Sequence, residues 1–426
     1  MARYLYTFIY YLIFPLVLLR LWWRGKKAPQ YRLRWLERLG IFSSPSDTPP
    51  TLWIHSVSVG ETIAAAPLIK SLQARYPQVR LVVTTMTPTG SERVRSLFGD
   101  TVFHVYAPYD LPGCIKRFYQ RLRPMALIVM ETELWPNWVH FCKRRNIPTI
   151  LANGRLSERS ARGYEKVRWL SGSMFEEISW VAAQNSQDAA RFARLGVKDK
   201  SLTVTGSIKF DIQITDDIRR AGKQFRQQWG EMRPVVMAGS THEGEESLLL
   251  EAFQKIRTRY PEALLIIVPR HPERFESVAG LIDQAGLTMS RRSLNVPFSP
   301  EVQVVLGDTM GEQMKFYAAA DVAFVGGSLI ERGGHNPLEP AALGLPVLMG
   351  PHVFNFQDIC TRLETEGALV TVSQTSLQEE IESLLKSEQL RQERGGKARQ
   401  FVESNQGALE RLVSGISQRI DPNGRY

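Results

Sequence analysis

The strongest constraint on the fold is a repeated alternation of short apolar runs with helix-like segments. Continuous apolar strands separated by helices are typical of parallel β-sheets that are covered on both faces. The alternation ends at a polar, charged segment, 207–233, and restarts after it. The predicted strands are 52–57, 79–84, 102–105, 126–130, 149–152, 180–183 and 202–205, then 235–238, 264–268, 302–306, 322–325, 347–349 and 369–372. The predicted helices are 61–75, 90–98, 113–122, 136–145 and 186–195, then 243–258, 274–285, 311–320, 338–343, 375–386 and a closing stretch, 390–418.

We therefore predict an α/β protein with two tandem doubly wound Rossmann-like domains and a cleft between them. A chain of 426 residues is too long for one ordinary core, which agrees with two domains. Nucleotide-sugar glycosyltransferases of the GT-B type and some nucleotide-sugar epimerases share this plan, and the fold alone does not choose between them. The predicted segments are a membrane anchor (1–24), a basic juxtamembrane segment and linker (25–50), a first domain (51–212), an interdomain linker (213–233) and a second domain with a C-terminal helix (234–426).

Residues 4–19 form an uncharged, almost wholly apolar run. The first fifty residues hold eight Arg and Lys side chains against two acidic ones, within a chain of formal net charge +10. A cleaved signal peptide is disfavoured because no small-x-small site follows the run. A buried soluble helix is disfavoured because the run is apolar on every face. The sequence favours a membrane anchor, with Trp22 and Trp23 in the headgroup zone and the basic cluster on the cytoplasmic side. The run is slightly shorter than the roughly 20 residues of a spanning helix, so a tilted span and a monotopic insertion both stay open.

Most nucleotide and metal motifs are absent from the sequence. It contains no GxxxxGK[ST], no GxGxxG after a strand, no HExxH and no DxD after a strand. These absences disfavour an NTPase, a dehydrogenase and a metalloprotease, and we expect no metal and no other cofactor. Cys114, Cys142 and Cys360 lie far apart, which argues against a disulfide framework or a zinc site. No RNA- or DNA-binding motif occurs, so we expect the basic residues to meet anionic lipid rather than nucleic acid.

Three ionisable residues follow predicted strands of the first domain. Glu61 lies at the end of a small-residue turn that begins with Ser56 and leads into a helix. A carboxylate at this edge of an α/β sheet can serve as a general base toward an incoming hydroxyl, but a glutamate that only complements the helix dipole gives the same pattern. Glu131 and Lys209 follow two other strands. A lysine suits a leaving phosphate, whereas helix capping and a solvated linker are the plain alternatives for these two residues.

Small and polar residues follow the strands of the second domain in four places. Such turns let backbone N–H groups approach a phosphate, although each is also an ordinary turn. Glu339, in the first turn after Pro337, can accept hydrogen bonds from ribose hydroxyls. The four clusters contain Ser240 and Thr241; Pro269 and Arg270; Met310, Gly311 and Glu312; and Gly327, Ser328, Asn336, Pro337, Leu338 and Glu339. Four clusters at successive strand ends favour a nucleotide site over turns alone.

Together the strand-end motifs resemble those of the bacterial Kdo transferases, GT-B glycosyltransferases of lipopolysaccharide synthesis. The motifs are HSVSVGE at 55–61, TTMTPTG at 84–90, ETELWP at 131–136, PRHPER at 269–274 and GGHNPLE at 333–339. The resemblance spans nearly the whole chain, including the apolar amino-terminal segment. It implies transfer of 3-deoxy-D-manno-octulosonic acid (Kdo) from CMP-Kdo to a lipid A precursor, a tetraacyldisaccharide 4'-bisphosphate. It also implies residence at the inner membrane with the catalytic domains on the cytoplasmic face.

The resemblance implies roles for individual positions of this sequence. Glu61 matches the catalytic base, and Glu131 and Lys209 match the pair credited with transition-state stabilisation. The CMP-binding segments match Pro269 and Arg270, then Met310, Gly311 and Glu312, then Asn336, Pro337, Leu338 and Glu339. Further candidates are Ser56, Ser240, Thr241, Gly327 and Ser328.

Attack opposite the leaving phosphate predicts inversion at the anomeric carbon. Basic side chains of the first domain can meet the phosphates of the acceptor, or they can be solvated surface: Arg117, Arg121, Arg123, Arg155, Arg159 and Arg162. Two rival functions stay open. One is another GT-B enzyme that uses a UDP-sugar, as a transferase or an epimerase, and the other is a non-catalytic protein that binds a membrane surface.

Overall fold

The computed structural model describes residues 1–43 and 49–421, so residues 44–48 of the predicted juxtamembrane segment and linker at 25–50 lie outside the described residues. The chain divides into two compact units. The first contains Met1–Asp211 and Gln406–Tyr426, and the second contains Ile212–Asn405.

The first unit is built on a seven-stranded parallel sheet with the strand order β3-β2-β1-β4-β5-β6-β7. Its strands are β1 (Thr51–His55), β2 (Arg80–Thr85), β3 (Phe103–Tyr106), β4 (Pro124–Met130), β5 (Thr149–Gly154), β6 (Trp180–Ala183) and β7 (Leu202–Val204). The helices up to the second unit are α1 (Ala2–Lys27), α2 (Trp35–Arg38), α3 (Val59–Arg75), α4 (Pro88–Phe98), α5 (Pro112–Leu122), α6 (Pro136–Arg144), α7 (Glu158–Lys166), α8 (Arg168–Glu176) and α9 (Ser186–Arg194).

The second unit repeats the plan with the strand order β10-β11-β9-β8-β12-β13-β14, again all parallel. Its strands are β8 (Val235–Thr241), β9 (Leu264–Pro269), β10 (Met289–Arg291), β11 (Val304–Leu306), β12 (Val322–Val325), β13 (Val347–Met349) and β14 (Leu369–Thr371). Its helices are α10 (Asp216–Trp229), α11 (Glu245–Arg257), α12 (Phe275–Gln284), α13 (Gln313–Tyr317), α14 (Leu338–Ala342), α15 (Gln357–Thr365), α16 (Leu377–Lys386) and α17 (Glu388–Asn405). The chain then returns to the first unit as α18 (Ala408–Ile420).

The predicted α/β architecture is confirmed, and each predicted strand is present with small changes at its ends. The central strands β1, β5, β8 and β9 are buried along their whole length, which is why they read as continuous apolar runs. The sequence did not predict β10, because three half-buried residues at a sheet edge, Met-Ser-Arg, give no apolar run.

Two predicted segments, 213–233 and 390–418, differ from the segments that the structure shows. The predicted linker at 213–233 contains α10, whose Phe225 and Trp229 stack with each other and belong to the core of the second unit. The predicted closing stretch at 390–418 is two helices, and only α17 stays with the second unit. Leu412 and Ile416 of α18 instead join the core beneath β1 and α3. A Cβ on Gly415 would lie 2.2 Å from the Trp180 ring, so α18 reaches the sheet only because this residue is glycine.

Each sheet has a point near its centre where the strand order reverses. It lies between β1 and β4 in the first unit and between β8 and β12 in the second. Loops that leave the carboxyl ends of the two strands at such a point diverge to opposite faces, which opens a crevice for a ligand. The fold therefore directs attention to four loops, those after β1, β4, β8 and β12.

Helix α1 lies along the first unit. Near its amino end, Arg3 Nη1 donates a hydrogen bond to Asn137 Oδ1 at 3.0 Å, and Asn137 Nδ2 donates to Thr7 Oγ1 at 3.0 Å. Farther along, the Phe14 ring meets the Tyr109 ring edge-on with centroids 5.2 Å apart. Ala2–Lys26 is apolar and long enough to cross a membrane, with a mean hydropathy of 1.7. The side of α1 that does not pack is strongly apolar and exposes Tyr4, Leu5, Phe8, Ile9, Tyr11, Leu12, Ile13, Leu16, Leu19, Trp22 and Trp23.

A buried carboxyl, Asp110, joins α1 to the sheet domain. It is 1% exposed and accepts the backbone N–H groups of Asn137 at 3.0 Å and Trp138 at 2.9 Å, at the start of α6. The Tyr6 hydroxyl of α1 also hydrogen-bonds this carboxyl. Burial raises the pKa of Asp110 to about 7, against the opposing effect of these hydrogen bonds. Removal of the side chain would leave two helix-start N–H groups and one hydroxyl without an acceptor.

We predict that Asp110→Ala lowers the free energy of unfolding by about 3 kcal/mol, because hydrogen bonds to a charged acceptor contribute roughly 1.5–3 kcal/mol and the abandoned donors stay buried. Chemical denaturation of the detergent-solubilised protein measures this change. The matched control is the exposed Asp100→Ala, for which we expect less than about 0.5 kcal/mol. Equal stability of the two variants would contradict the role of Asp110.

Candidate functional site

The loop after β1 presents Glu61 in the first turn of α3. Ser58 is the residue before the helix, and its hydroxyl oxygen accepts a long hydrogen bond from the Glu61 backbone N–H at 3.5 Å. Glu61 Oε2 accepts the Val57 backbone N–H at 2.8 Å, and the Ser58 hydroxyl donates to Oε1 at 3.4 Å. Glu61 therefore also caps the start of α3 through its hydrogen bond to the Val57 N–H. Its Oε1 is held by only one long bond, which leaves that oxygen able to accept another proton donor.

The surroundings of Glu61 differ from those of an ordinary capping glutamate. The side chain is half-buried, and burial together with the negative charges of Glu131 and Glu133 raises the pKa of Glu61 to about 7. The hydrogen bonds from Val57 and Ser58 act in the opposite direction. A carboxyl with a pKa close to the working pH can accept and release a proton readily, which is what a general base requires.

Glu131 and Lys209 lie near each other in the first unit. Glu131 directly follows β4 with φ 58°, a conformation uncommon for a residue with a side chain, and its N–H bonds Ala152 O of β5 at 3.0 Å. Lys209 sits in a single turn of 3-10 helix after β7. Burial lowers the pKa of Lys209, the negative charge of Glu131 raises it, and the positive charge of Arg155 lowers it. The structure thus brings three of the residues named from the sequence, Glu61, Glu131 and Lys209, into one electrostatically coupled group with Arg155.

Asn153, which the sequence did not single out, supports the turn that carries Lys209. It is fully buried at the end of β5 with φ 54°, and its Oδ1 accepts the Ile208 backbone N–H at 3.2 Å. The available signal was the Asn-Gly pair that ends the strand at 153–154, because asparagine and glycine tolerate positive φ.

Other candidates of the first unit have structural partners. Ser56 is fully buried and its hydroxyl bonds Thr62 Oγ1 at 3.0 Å, so it supports the turn and does not face a ligand. Arg117 and Arg121 donate to the backbone carbonyls of Leu39 and Phe42. The remaining predicted basic residues are exposed: Arg123, Arg155, Arg159 and Arg162. Among these, Arg162 forms an ion pair with Glu158.

In the second unit the first residue of α13 and the loop after β12 contact Glu339. Gln313 Nε2 donates to Glu339 Oε2 at 2.9 Å, and Asn336 Nδ2 donates to Oε1 at 3.4 Å. Ser240 donates its hydroxyl to Gln313 Oε1 at 2.9 Å and holds the amide in that orientation. Burial raises the pKa of Glu339, while the two hydrogen bonds and the positive charge of Arg270 lower it. The oriented carboxylate has unused lone pairs and suits a pair of ribose hydroxyls.

The segments at 269–270 and 310–312 follow neighbouring strands, β9 and β11. Pro269 is the buried last residue of β9, and Arg270 is half-buried. Met310 is 68% exposed, and Gly311 has φ 82°, so this turn lies open at the surface. Glu312 is held by Arg292 Nε at 3.0 Å and by the Thr309 hydroxyl at 2.6 Å. The remaining residues of the 336–339 segment, Pro337 and Leu338, are buried and start α14.

The loop after β12 is occupied by an internal carboxylate, Glu245. Its oxygens accept the backbone N–H groups of Gly327 at 2.7 Å, Ser328 at 3.0 Å and Leu329 at 3.0 Å. It also accepts the His242 N–H at 3.0 Å. Gly327 and Ser328 therefore have no N–H group left for a phosphate in this structure. Thr241 is likewise engaged, because its hydroxyl donates to the buried Glu246 at 3.2 Å.

The sequence did not predict the role of Glu245, because three of its four N–H partners lie more than eighty residues away in the loop after β12. Among residues 1–43 and 49–421, no group of three or more His, Cys, Asp or Glu side chains is arranged to hold a metal ion.

Comparison with known proteins relates these residues to a family. Residues 33–212 match the model of the 3-deoxy-D-manno-octulosonic-acid transferase (kdotransferase) family, and residues 241–401 match glycosyl transferases group 1. The chain is 43% identical to 3-deoxy-D-manno-octulosonic acid transferase of Haemophilus influenzae, over 99% of this chain and 100% of that one. It is 35% identical to the enzyme of the same name from Bordetella pertussis, over 98% and 99% of the two chains.

The solved structure of MurG from Acinetobacter baumannii matches with a TM-score of 0.54 at 15% identity. That match covers 87% of this chain and 100% of MurG, and it concerns the fold alone. The two parallel sheets and this likeness establish the GT-B fold. On the full-length similarity to the enzymes of Haemophilus and Bordetella, the chain belongs to the family of 3-deoxy-D-manno-octulosonic acid (Kdo) transferases and is a glycosyltransferase.

Proposed function

We propose that this protein transfers Kdo from CMP-Kdo to a lipid A precursor with inversion at the anomeric carbon, and that Glu61 is the general base. An acceptor hydroxyl oxygen attacks C2 of Kdo while its proton passes to Glu61 Oε1. The bond from C2 to the phosphate oxygen breaks, and CMP leaves with the electron pair. The products are the Kdo-bearing acceptor, CMP and a protonated Glu61, which returns its proton to water.

The observation that carries the proposal is the carboxyl group of Glu61. Its pKa is raised to about 7 by burial and by two nearby carboxylates, while one oxygen keeps accepting capacity. A purely structural cap gains nothing from this desolvation and repulsion, since both oppose the ionised form. A base that must hold a proton during attack and release it afterwards benefits from both.

Lys209 and Glu131 fit the charge that develops in the reaction. The transition state of a glycosyl transfer carries positive charge on the sugar ring and negative charge on the leaving phosphate. A half-buried carboxylate suits the first, and a half-buried ammonium group suits the second. We assign Glu131 and Lys209 to these two roles, and we assign acceptor phosphate binding to the exposed Arg155, which acts electrostatically on Lys209.

The second unit provides groups that fit CMP. Glu339, oriented by Gln313 and Asn336, suits the ribose hydroxyls, and Arg270 suits the single phosphate. The open turn at 310–312 suits the cytosine ring of CMP. We propose that positively charged side chains of the protein are sufficient to bind the phosphate, so that transfer requires no metal ion.

We propose a monotopic attachment of α1 to the cytoplasmic face of the inner membrane. Its amino end is bonded to Asn137, and Leu18, near its middle, packs on the cluster of Tyr109, Leu111 and Cys114. A spanning helix would have to leave these partners. The exposed apolar side of α1, with Trp169 exposed on the neighbouring α8, can enter one leaflet instead. Arg24 and Arg32 near the carboxyl end, against the rings of Tyr31 and Trp22, can meet anionic headgroups.

We predict that Glu61→Gln reduces kcat for Kdo transfer by about 10²- to 10⁴-fold, the usual contribution of a general base. The assay uses CMP-Kdo and a tetraacylated lipid A precursor, contains EDTA, and detects the product by mass spectrometry. The control Glu133→Gln, another carboxylate of the same edge, should retain activity within a few-fold. Full activity of Glu61→Gln would refute the assignment, and loss of wild-type activity in EDTA would refute the metal-free proposal.

The pH profile gives a second prediction. Glu61 must be ionised to accept a proton, so kcat/KM rises with pH through an acidic limb near pH 7, the pKa of Glu61 being about 7. The negative charge of Glu133 contributes to that elevation. Glu133→Gln should therefore shift the limb to lower pH, whereas the exposed Glu92→Gln should leave it in place. A limb that moves to higher pH in Glu133→Gln contradicts the electrostatic argument.

Labelling of introduced cysteines tests the attachment of α1. The native cysteines are all buried, so a membrane-impermeable maleimide reports on Ala2→Cys and on Lys26→Cys. Monotopic attachment places both positions on the cytoplasmic side. We expect labelling of both in inverted vesicles and of neither in spheroplasts. Labelling of the Ala2 position in spheroplasts would show that α1 crosses the bilayer.

A further inference from the structure

Two histidines face each other at the carboxyl edge of the second sheet, beside the nucleotide-binding residues. His242 follows β8 and His335 lies in the loop after β12, so they flank the point where the strand order reverses. Their Nε2 atoms are 2.8 Å apart. The ring planes differ by 5° and the centroids are 5.0 Å apart, so the rings lie end to end in one plane rather than one above the other.

This contact fixes the protonation of the pair. Two imidazoles that share one Nε2–H···Nε2 bond contain one donor ring and one acceptor ring. The acceptor ring is neutral, so it carries its single N–H proton on Nδ1. Among the residues that the structure describes, neither Nδ1 atom makes a hydrogen bond. The pair therefore keeps at least one N–H donor that no protein group uses, and a second donor appears if the pair takes up a proton.

The electrostatic surroundings of the pair are positive. Burial and, to a smaller extent, neighbouring basic groups that include His271 and Arg270 lower the pKa of both His242 and His335 to about 4. His271 meets His242 edge-on at 5.3 Å, and the charge of Arg332 also acts on His242. Arg274 is neutralised by Glu243 and Glu246. Within the described part of the chain, neither Arg270 nor Arg332 forms an ion pair.

The two loops are built to hold the rings in this place. Glu245 ties the His242 N–H to the N–H groups after β12. The His335 N–H bonds Gly326 O at 3.1 Å. Gly327 has φ 69°, and a Cβ there would lie 3.0 Å from the His335 ring and 3.5 Å from the His242 ring. The rings thus occupy space that only glycine leaves free, which is typical of a preorganised site rather than of mobile surface side chains.

We propose that the His242–His335 pair, together with Arg332, binds the carboxylate of the sugar acid in the donor. The proposal deepens the function proposed above and rests on it for the identity of the donor. Kdo is a 2-ulosonic acid, so its carboxylate is attached to the same carbon that bears the phosphate. A site that receives the phosphate on Arg270 must therefore receive a second anion a few ångströms away. Nucleotide-sugar donors with neutral sugars lack this group, and the pair accordingly acts as a specificity determinant.

The test compares two ligands that differ by the sugar acid. The full chain in detergent is titrated with CMP and with CMP-Kdo in the absence of acceptor, and the dissociation constants are measured by calorimetry. We expect His335→Leu to weaken CMP-Kdo binding by about 10-fold or more, the effect of a charged hydrogen bond, and CMP binding by less than about twofold. His335→Gln, which keeps a donor and an acceptor, should restore part of the loss. His140→Leu, whose histidine pairs with Glu177 in the first unit, serves as the control.

A second variant keeps the test valid if the leucine variant misfolds. Arg332 is exposed, so Arg332→Ala should fold normally and should weaken CMP-Kdo binding without affecting CMP. Equal weakening of both ligands would mean that the pair binds the phosphate and would overturn the proposal. Unchanged binding of CMP-Kdo in both variants would overturn it as well. Histidine-dependent binding of CMP-Kdo by a wild-type protein that shows no transfer would support the carboxylate site and refute the proposed transfer function.

Discussion

Carboxylates that accept backbone N–H groups hold the loops of this protein at the carboxyl edges of its sheets. A strand-to-helix turn leaves several N–H groups without a partner, and an acidic side chain from elsewhere in the fold can satisfy two to four of them. Asp110 does so at the start of α6, and Glu245 does so after β12. Asp211 does so at the start of α18, where it accepts the Gly407 and Leu409 N–H groups at 2.6 Å. These contacts join segments far apart in sequence, so each loop depends on a partner that local sequence does not reveal.

Glu61 also accepts a backbone N–H group, but its surroundings differ from those of the structural carboxylates. It accepts a backbone N–H, but two other carboxylates act on its charge, whereas Glu245 accepts four N–H groups. Burial raises the pKa of Glu245 as well, but its four backbone N–H donors oppose this rise and occupy both carboxylate oxygens, which suits a permanent structural role. A single short bond compensates Glu61 only in part, and its pKa is correspondingly raised to about 7. The difference between a structural and a reactive carboxylate here lies in the number of donors and in the sign of the neighbouring charges.

The sequence predicted much of this arrangement because parallel strands place their carboxyl ends at one edge. Residues that follow apolar runs, such as Glu131 and Lys209, could be grouped without knowledge of side-chain contacts. Ser56 and Gly327 follow strands just as closely, but the first points into the core and the N–H of the second is bonded to Glu245. Strand-end position predicts nearness to the site and not the direction in which a group faces. His242, Asn153 and Gln313 were missed for the converse reason, since their importance comes from tertiary partners.

The last helix, α18, shows that the position of Lys209 depends on segments distant in sequence. The single turn that carries Lys209 is held on one side by Asn153 of β5. On the other side it contacts α18, which follows the whole second unit in sequence. Arg411 of α18 donates to Thr205 O at 2.8 Å, just before that turn. The position of Lys209 is therefore fixed only when the last helix has packed. An amino-terminal unit that ended at Asp211 would contain Glu61, Glu131 and Lys209 and still lack the support that holds the lysine near the two carboxylates.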